Sequence, residues 1–558
     1  MATVRTKKMG QILVEAGVVS AEKLEMALRE QRQTGEKLGT ALQRLGICSE
    51  KAIAQVLAEQ AGVECVDLRD FDPVQEALEK VPRDFCERKV VLPVAVTKSS
   101  LKVVMANPLD LELIDDLGRM TGLYIEVVHA PVSEIRDTLL SWFGMHEGDD
   151  ADDNALIAEA RAALAGGAKL DQSNSPFVRL VDQILLKGVV EGATDIHIEP
   201  EEKVLRVRYR VDGSLIQGDT LPGELLPIVV TRMKILAEMN ISENRVPQDG
   251  KIVFDAGRKQ VDLRVSTIPT VHGEGIVCRI LDKETLLLGL PKLGMPAAME
   301  KSFVRDIERP HGIILVTGPT GSGKTTTLYA TLQHLNRPDT KIITLEDPVE
   351  YELPVINQSQ IDVPKGYTFA KGLRAILRQD PDVILVGEIR DQETAQLAIR
   401  AALTGHLVFS TLHTNSAAGV VPRLVDMGIE PLLLSTSLVA VVAQRLVRRV
   451  CSACAVEDQL TAEQRDFLEI TEEQAAGAKI RRGEGCPLCR ITGYRGRDAV
   501  FEYLRISDTV REMVAASRGA EEIARAARAD GQRNLRDDAV AKMLAGKTTV
   551  DEVMGVTA

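Results

Sequence analysis

A glycine-rich run in the second half of the chain restricts the fold more than any other feature. Gly318, Pro319, Thr320, Gly321, Ser322, Gly323, Lys324, Thr325 and Thr326 follow an apolar run, 313–317, and lead into a helical stretch that ends near Leu335. A buried strand, a loop of the form G-x-x-x-x-G-K-T and a helix make a phosphate cradle. The glycines let backbone N–H groups wrap a polyanion, and the helix N-terminus adds positive potential. In this reading Lys324 neutralises the β and γ phosphates of a bound nucleotide, and Thr325 offers its hydroxyl to Mg²⁺.

Three more strand-type runs follow, each ending in polar residues. Ile342–Leu345 ends in Glu346-Asp347, Val383–Val386 in Gly387-Glu388, and Leu407–Leu412 in His413. Strands alternating with helices from Gly312 onward imply a parallel sheet covered by helices. Ligands of open α/β sheets sit at the carboxyl ends of the strands. Four strands should therefore deliver Lys324, Glu346, Glu388 and His413 to one edge. Nucleotide hydrolysis needs a metal, a residue that orients water, and positive charge for the transition state. Glu388 is assigned to Mg²⁺, directly or through water. Glu388 and Glu346 are both candidate bases, and His413 and His406 are candidate γ-phosphate sensors. Helix capping by the acids and ordinary hydrogen bonds for the histidines remain the alternatives. Arg264, Arg279 and the i, i+4 pair Arg374 and Arg378 are candidates for stabilising charge in trans.

Four of the eight cysteines form two C-x-x-C knuckles, Cys451/Cys454 and Cys486/Cys489, with 31 residues between them. Two such pairs suit a structural, tetrahedral Zn²⁺. Cys48, Cys65, Cys86 and Cys278 stand in apolar contexts and read as core thiols. The net charge of −13 argues against a general polyanion binder, and 3% aromatic residues argue against a stacking platform for single strands. No apolar run reaches the roughly eighteen residues that cross a bilayer. The most apolar stretch, 432–442, carries two Ser and a Thr and reads as a buried helix. The N-terminal charges lead into no apolar segment of the signal-peptide kind, so a cytosolic chain is expected.

The 558 residues suggest three or four domains. The first sixty contain a repeat at an offset of 29: Gly10/Gly39, Leu13/Leu42, Gly17/Gly46, Ser20/Ser49, Leu24/Ile53 and Leu28/Leu57. Each copy reads as a short helix stopped by Gly and a second helix capped by Ser. Together with a small α/β unit at 90–129 they make an N-terminal domain, 1–145, with the repeats at 8–62. Five acids crowd 147–153, and like charges favour an extended chain, so 146–172 reads as a flexible linker. A second α/β domain follows at 173–295, and the nucleotide-binding domain at 296–558 includes a zinc module at 449–497.

These motifs name a family. The loop at 318–325, Ile343-Thr-Leu-Glu-Asp-Pro-Val-Glu-Tyr351, Leu385-Val-Gly-Glu-Ile-Arg-Asp391 and Gly405–Asn415 resemble the Walker A, Asp, Walker B and His boxes of secretion ATPases. With Asp195-Ile-His-Ile-Glu-Pro200, Arg208-Tyr-Arg-Val-Asp-Gly213 and the four cysteines, the chain from about 175 onward resembles the assembly ATPases of type II secretion and type IV pili. The resemblance implies a RecA-like P-loop core, a PAS-like second domain, and a homo-hexamer using ATP and Mg²⁺ at the cytoplasmic face of the inner membrane. It implies partnership with a membrane platform protein and a membrane-anchored protein that has a cytoplasmic domain, and no direct contact with nucleic acid. It also implies that Arg264, Arg279, Arg374 and Arg378 face phosphate. Retraction ATPases typically lack the four-Cys insert and a long N-terminal region, which favours assembly here. A nucleotide-gated scaffold and a DNA-uptake pilus motor are the competing functions. The repeat resembles a module that binds cyclic di-GMP, although Lys8 and Lys37 stand where Arg is usual and lack its flat, bidentate group. Docking to the membrane-anchored partner is the competing role of this region.

Overall fold

The computed structural model describes residues 10, 13, 19, 21–34, 38, 42, 48, 50–68, 74–78, 80–143, 149–165, 175–256, 260–281 and 289–557. They form two compact units, Met1–Gly192 and Ala193–Ala558.

In the first unit the repeat is a packing symmetry. Helices Ala21–Thr34 and Glu50–Ala61 start at equivalent positions of the two copies. Their shared core joins Leu13 with Leu42, Val19 with Cys48, Leu24 with Ile53 and Ala27 with Val56, each pair related by the same offset. Apolar residues at i, i+3 and i+4 give each helix one buried stripe, and neither stripe is covered without the other copy. Lys8, Lys37, Gly39 and the turns at Gly17, Ser20, Gly46 and Ser49 lie outside the described residues. Three strands follow: β1 (Val91–Val96), β2 (Ser100–Met105) and β3 (Tyr124–His129). β2 pairs antiparallel with β1 and parallel with β3. Of the four isolated cysteines, Cys86 and Cys278 are buried, while Cys48 and Cys65 are half-buried.

The acidic run differs from expectation. A helix spans Asp149–Ala165, so it begins inside the cluster of acids. Acids in a first turn face the positive end of the helix dipole, which offsets their mutual repulsion. Helix Pro176–Val190 packs against it, with Arg179 paired to Glu159 at 2.5 Å. Ser175 caps that helix and Pro176 fills its first position. The helix belongs to the first unit, not with the strands that follow it.

The second unit opens with a six-stranded antiparallel sheet made of β4 (Asp195–Pro200), β5 (Val204–Val211), β6 (Ser214–Pro222), β7 (Gln248–Asp255), β8 (Gln260–Thr270) and β9 (Gly273–Leu281), in the order β6-β5-β4-β9-β8-β7. Period-2 alternation buries Ile196, Ile198, Val207, Leu263, Val265, Ile276 and Cys278 on one face. The intervening residues put Asp195, His197, Arg208, Arg210, Arg264 and Arg279 on the other. Lys234, 1% exposed, donates to Glu274 Oε2 at 2.7 Å and to the Glu243 carbonyl at 2.6 Å. Lys234→Met strands a buried carboxylate and should cost about 3–5 kcal/mol in urea unfolding of the full chain. Adding Glu274→Leu should recover most of that loss, and an unchanged urea midpoint in the single variant would contradict this.

The nucleotide-binding region is a seven-stranded sheet in the order β12-β11-β13-β14-β10-β15-β18. Its strands are β10 (Gly312–Thr317), β11 (Ile342–Glu346), β12 (Asn357–Gln360), β13 (Val383–Val386), β14 (Leu407–Leu412), β15 (Leu438–Val450) and β18 (Tyr494–Arg505). All neighbours run parallel except β15 and β18. Apolar cores cover both faces. The run 432–442 is not one helix. A short helix, Pro431–Ser437, hands over to β15. A strand buried on both faces is apolar at every position, so periodicity cannot separate it from a buried helix. Between β15 and β18 the four-Cys module contains two short strands, β16 (Ala455–Glu457) and β17 (Arg481–Gly483), and helices Ala462–Leu468 and Glu472–Ala476. Among the described residues no helix is long and apolar enough to cross a membrane.

Candidate active site and metal centre

One cleft at the carboxyl ends of the parallel strands is lined by Lys324, Thr325, Tyr329, Glu346, Asp347, Glu350, Glu388, Thr411 and His413, among others. The sheet order explains the convergence. Counting outward from β10, the strands end in the phosphate loop, His413, Glu388 and Glu346. Helix Lys324–Leu335 starts directly from the loop, with Gly323 in the left-handed region at φ 88°. Lys324 Nζ donates to the carbonyls of Gly318 at 2.8 Å and Pro319 at 3.0 Å. Burial lowers its pKa, and the Glu388 carboxylate partly opposes that shift.

The two candidate bases stand in different environments. Glu388 pairs with Arg390 at 2.6 Å and has His413 Nε2 at 3.6 Å. Glu346 is buried and accepts three hydrogen bonds: from Tyr329 at 2.6 Å, Thr344 at 2.5 Å and Gln358 at 3.1 Å. Burial and the Glu346 charge raise the Tyr329 phenol, which keeps it a donor. Glu346 is thus fixed in orientation by its neighbours, and Glu388 is free to meet a ligand. The Thr325 hydroxyl and the Glu388 carboxylate are oxygen donors of the hard type that Mg²⁺ takes, usually with several waters retained. When bound, the ion would neutralise charge on the phosphates.

The arginines divide. Arg264 reaches the cleft wall, donating to the Val349 carbonyl at 2.6 Å and pairing with Glu350 at 2.8 Å. Arg279, Arg374 and Arg378 are not in the lining of this cleft. Arg279 pairs with Asp195 at 3.1 Å, Arg374 pairs with Glu393, and Arg378 donates to the Arg374 carbonyl at 2.7 Å. Helix Phe369–Ile376 ends before Arg378, so the expected i, i+4 pair does not share a helix. His406 is also away from the cleft. It precedes β14 and sits at the opposite end of that strand from His413, with Nδ1 3.0 Å from the Ala401 carbonyl. A six-residue strand separates its ends by roughly 20 Å.

Three residues that contact Glu388 or Glu346 carry no role in the sequence reading: Arg390, Tyr329 and Gln358. Arg390 lies two positions after Glu388, a spacing that offered a signal. Tyr329 and Gln358 offered none, because helix packing brings the first to Glu346 and pairing of β12 with β11 brings the second.

The cysteines do assemble. The four Sγ atoms of Cys451, Cys454, Cys486 and Cys489 lie within 4.8 Å of one another. The separations Cys451–Cys486 and Cys454–Cys489 are 3.8 Å, and Cys486–Cys489 is 3.7 Å. A tetrahedron with Zn–S bonds of about 2.3 Å has S···S edges of about 3.8 Å. Backbone N–H groups of Gly485, Cys486 and Gly493 point at sulfur from 3.1–3.3 Å, the second layer of donors a thiolate site uses. Burial raises the Cys489 thiol, but these donors and the neighbouring thiols bring it down to about 7. The donor set fits Zn²⁺, which would cross-link the two knuckles.

Comparison with known proteins gives the family. Residues 171–555 match the family described as Type II/IV secretion system protein, and residues 61–149 match the MshEN domain. The repeat at 10–60 lies before the second match. The chain is 41% identical to the type IV pilus assembly ATPase PilB of Myxococcus xanthus, over 99% of each chain. It is 42% identical to type II secretion system protein E of Xanthomonas campestris pv. campestris, over 98% of each. Among solved structures, the ATPase DotB of Yersinia pseudotuberculosis shares the fold, with a TM-score of 0.51 at 21% identity, covering 68% of this chain and 93% of that one. The first match spans well over half the chain and both relatives align almost end to end, so the chain belongs to the type II/IV secretion system protein family and is an ATPase of it.

Proposed function

We propose that this chain is a hexameric motor that hydrolyses ATP at the described cleft to drive assembly of a pilus or pseudopilus at the inner membrane. The observation that carries the reading is the meeting of Lys324, Thr325, Glu388 and His413, from three separate segments, in one cleft. Lys324 and the loop N–H groups hold the phosphates, Thr325 and Glu388 hold Mg²⁺, and Glu388 or Glu346 activates water. Arg279, Arg374 and Arg378 stand outside their own cleft and would serve a neighbouring protomer's, which a ring permits, by exchanging their present partners Asp195, Glu393 and the Arg374 carbonyl. A platform protein and an anchored cytoplasmic-domain protein are the proposed membrane partners, and no contact with nucleic acid is needed. Identity does not separate pilus from secretion, because 41% and 42% are equivalent. The test is phosphate release by the purified full chain. Turnover that needs Mg²⁺ and disappears in Lys324→Ala supports the motor; turnover unaffected by Lys324→Ala refutes it.

The paired core of the repeat favours a second ligand. Two copies joined by Leu13/Leu42 and Ala27/Val56 make a pseudo-symmetric platform, and cyclic di-GMP is itself two-fold symmetric. Titration of the full chain should give saturable binding at micromolar cyclic di-GMP, weakened by Lys8→Ala with Lys37→Ala. No heat at that concentration would leave partner docking as the role of this region.

A further inference from the structure

The phosphate loop rests on a residue that no motif contains. β15 pairs in parallel with β10 as far as Thr317 and Ala443, so the next residue, Gln444, lies beside Gly318 where the loop begins. Gln444 is 3% exposed. Its Oε1 accepts from Thr327 Oγ1 at 2.7 Å, in the first turn of the helix that follows the loop. A Cβ on Gly323 would meet its Nε2 at 2.7 Å, and a Cβ on Gly318 would collide with its carbonyl oxygen. Gly318 and Gly323 both have positive φ, 146° and 88° respectively. They are therefore required twice, by backbone conformation and by the approach of Gln444. One side chain thus contacts the far end of the loop and the start of its helix, while its backbone abuts the first residue of the loop.

We propose that Gln444 is a positioning residue for the phosphate loop: it braces Gly318, Gly323 and Thr327 so that the loop N–H groups converge on the β and γ phosphates of ATP. It does not touch the nucleotide. It acts by fixing the curvature of a segment whose glycines would otherwise sample many conformations. The inference rests on the proposed ATP hydrolysis at this cleft.

The test uses the full chain with Gln444→Met, which keeps the volume and removes the amide, and Thr327→Val, which removes the hydroxyl. The readouts are Kd for ATP and ADP, kcat and KM for ATP, melting temperature and zinc content. Loss of one buried hydrogen bond should weaken binding of both nucleotides about tenfold in either variant. Melting temperature should fall by only a few degrees, as loss of one buried hydrogen bond requires, and zinc content should stay at its wild-type value. The double variant should be no weaker than either single one, since both remove the same contact. Nucleotide affinity within twofold of wild type in Gln444→Met would overturn the proposal. So would a loss of affinity that only follows the unfolded fraction at the assay temperature, because that is the signature of a merely structural residue. Failure of the unaltered chain to bind ATP would sink the proposed function and this inference together. Wild-type binding with an indifferent Gln444→Met sinks this inference alone.

Discussion

Glu388→Gln should abolish turnover while leaving ATP bound. The carboxylate lines the cleft with Lys324 and His413, and among the described residues it pairs with Arg390 and has His413 nearby. Replacing it by an amide removes the negative charge proposed to hold Mg²⁺ and any basic lone pair with little change in side-chain volume. General base catalysis contributes about 10²–10⁴-fold, so kcat should fall by at least about a hundredfold. Removing the charge also frees Lys324 and Arg390 from an anion, so nucleotide affinity should hold or rise. Glu346→Gln is a different experiment. Its three donors would meet an amide whose NH₂ cannot accept, at a cost of about 1–3 kcal/mol in stability. If Glu346 is the base, its kcat should fall as far as that of Glu388→Gln, while Mg²⁺-dependent ATP binding persists. Single-turnover phosphate release with equilibrium binding separates these cases. Unchanged kcat in Glu388→Gln contradicts the assignment outright.

The second large effect concerns the cysteine cluster. Each chain should carry one zinc ion, and Cys486→Ser should lose it. Binding of structural zinc is worth about 10–16 kcal/mol in small domains, and that free energy is folding free energy. The module between Cys451 and Cys489 has two three-residue strands and two short helices, and few of its side chains are buried. Without the cross-link nothing of comparable strength holds the knuckles together. The damage should extend further, because β15 leads directly into Cys451, and β18 begins five residues after Cys489 and pairs along β15 as far as Ala440. Melting of the metal-free protein should show an early transition for this ribbon. Metal analysis that finds no zinc, together with a melting curve indifferent to Cys486→Ser, would contradict the assignment.

What could be read from the residues follows the range of the interactions. The phosphate loop was legible because strand, loop and helix are adjacent in sequence and each glycine has a local reason. The cysteine site was legible because spacing encodes the ligand set. β15 was not, since it lies at the centre of the sheet where both faces are apolar and the period vanishes. His406 was grouped with His413 because both flank one strand, and proximity along the chain conceals that a strand separates its ends. A helix over 154–165, ended by Gly166 and Gly167, is compatible with the sequence, and the structure starts it five residues earlier, at Asp149. Gln444, Tyr329 and Gln358 reach the site from distant elements, so only the three-dimensional pairing reveals them.

Hydrolysis at this cleft should do mechanical work on an appendage. The most direct measurement replaces the chromosomal copy with Glu388→Gln, confirms wild-type protein levels, and counts surface pili and exported substrate. The account predicts that both assembly and export stop in step with lost phosphate release. Filaments or export at wild-type level from a protein that cannot release phosphate would contradict it.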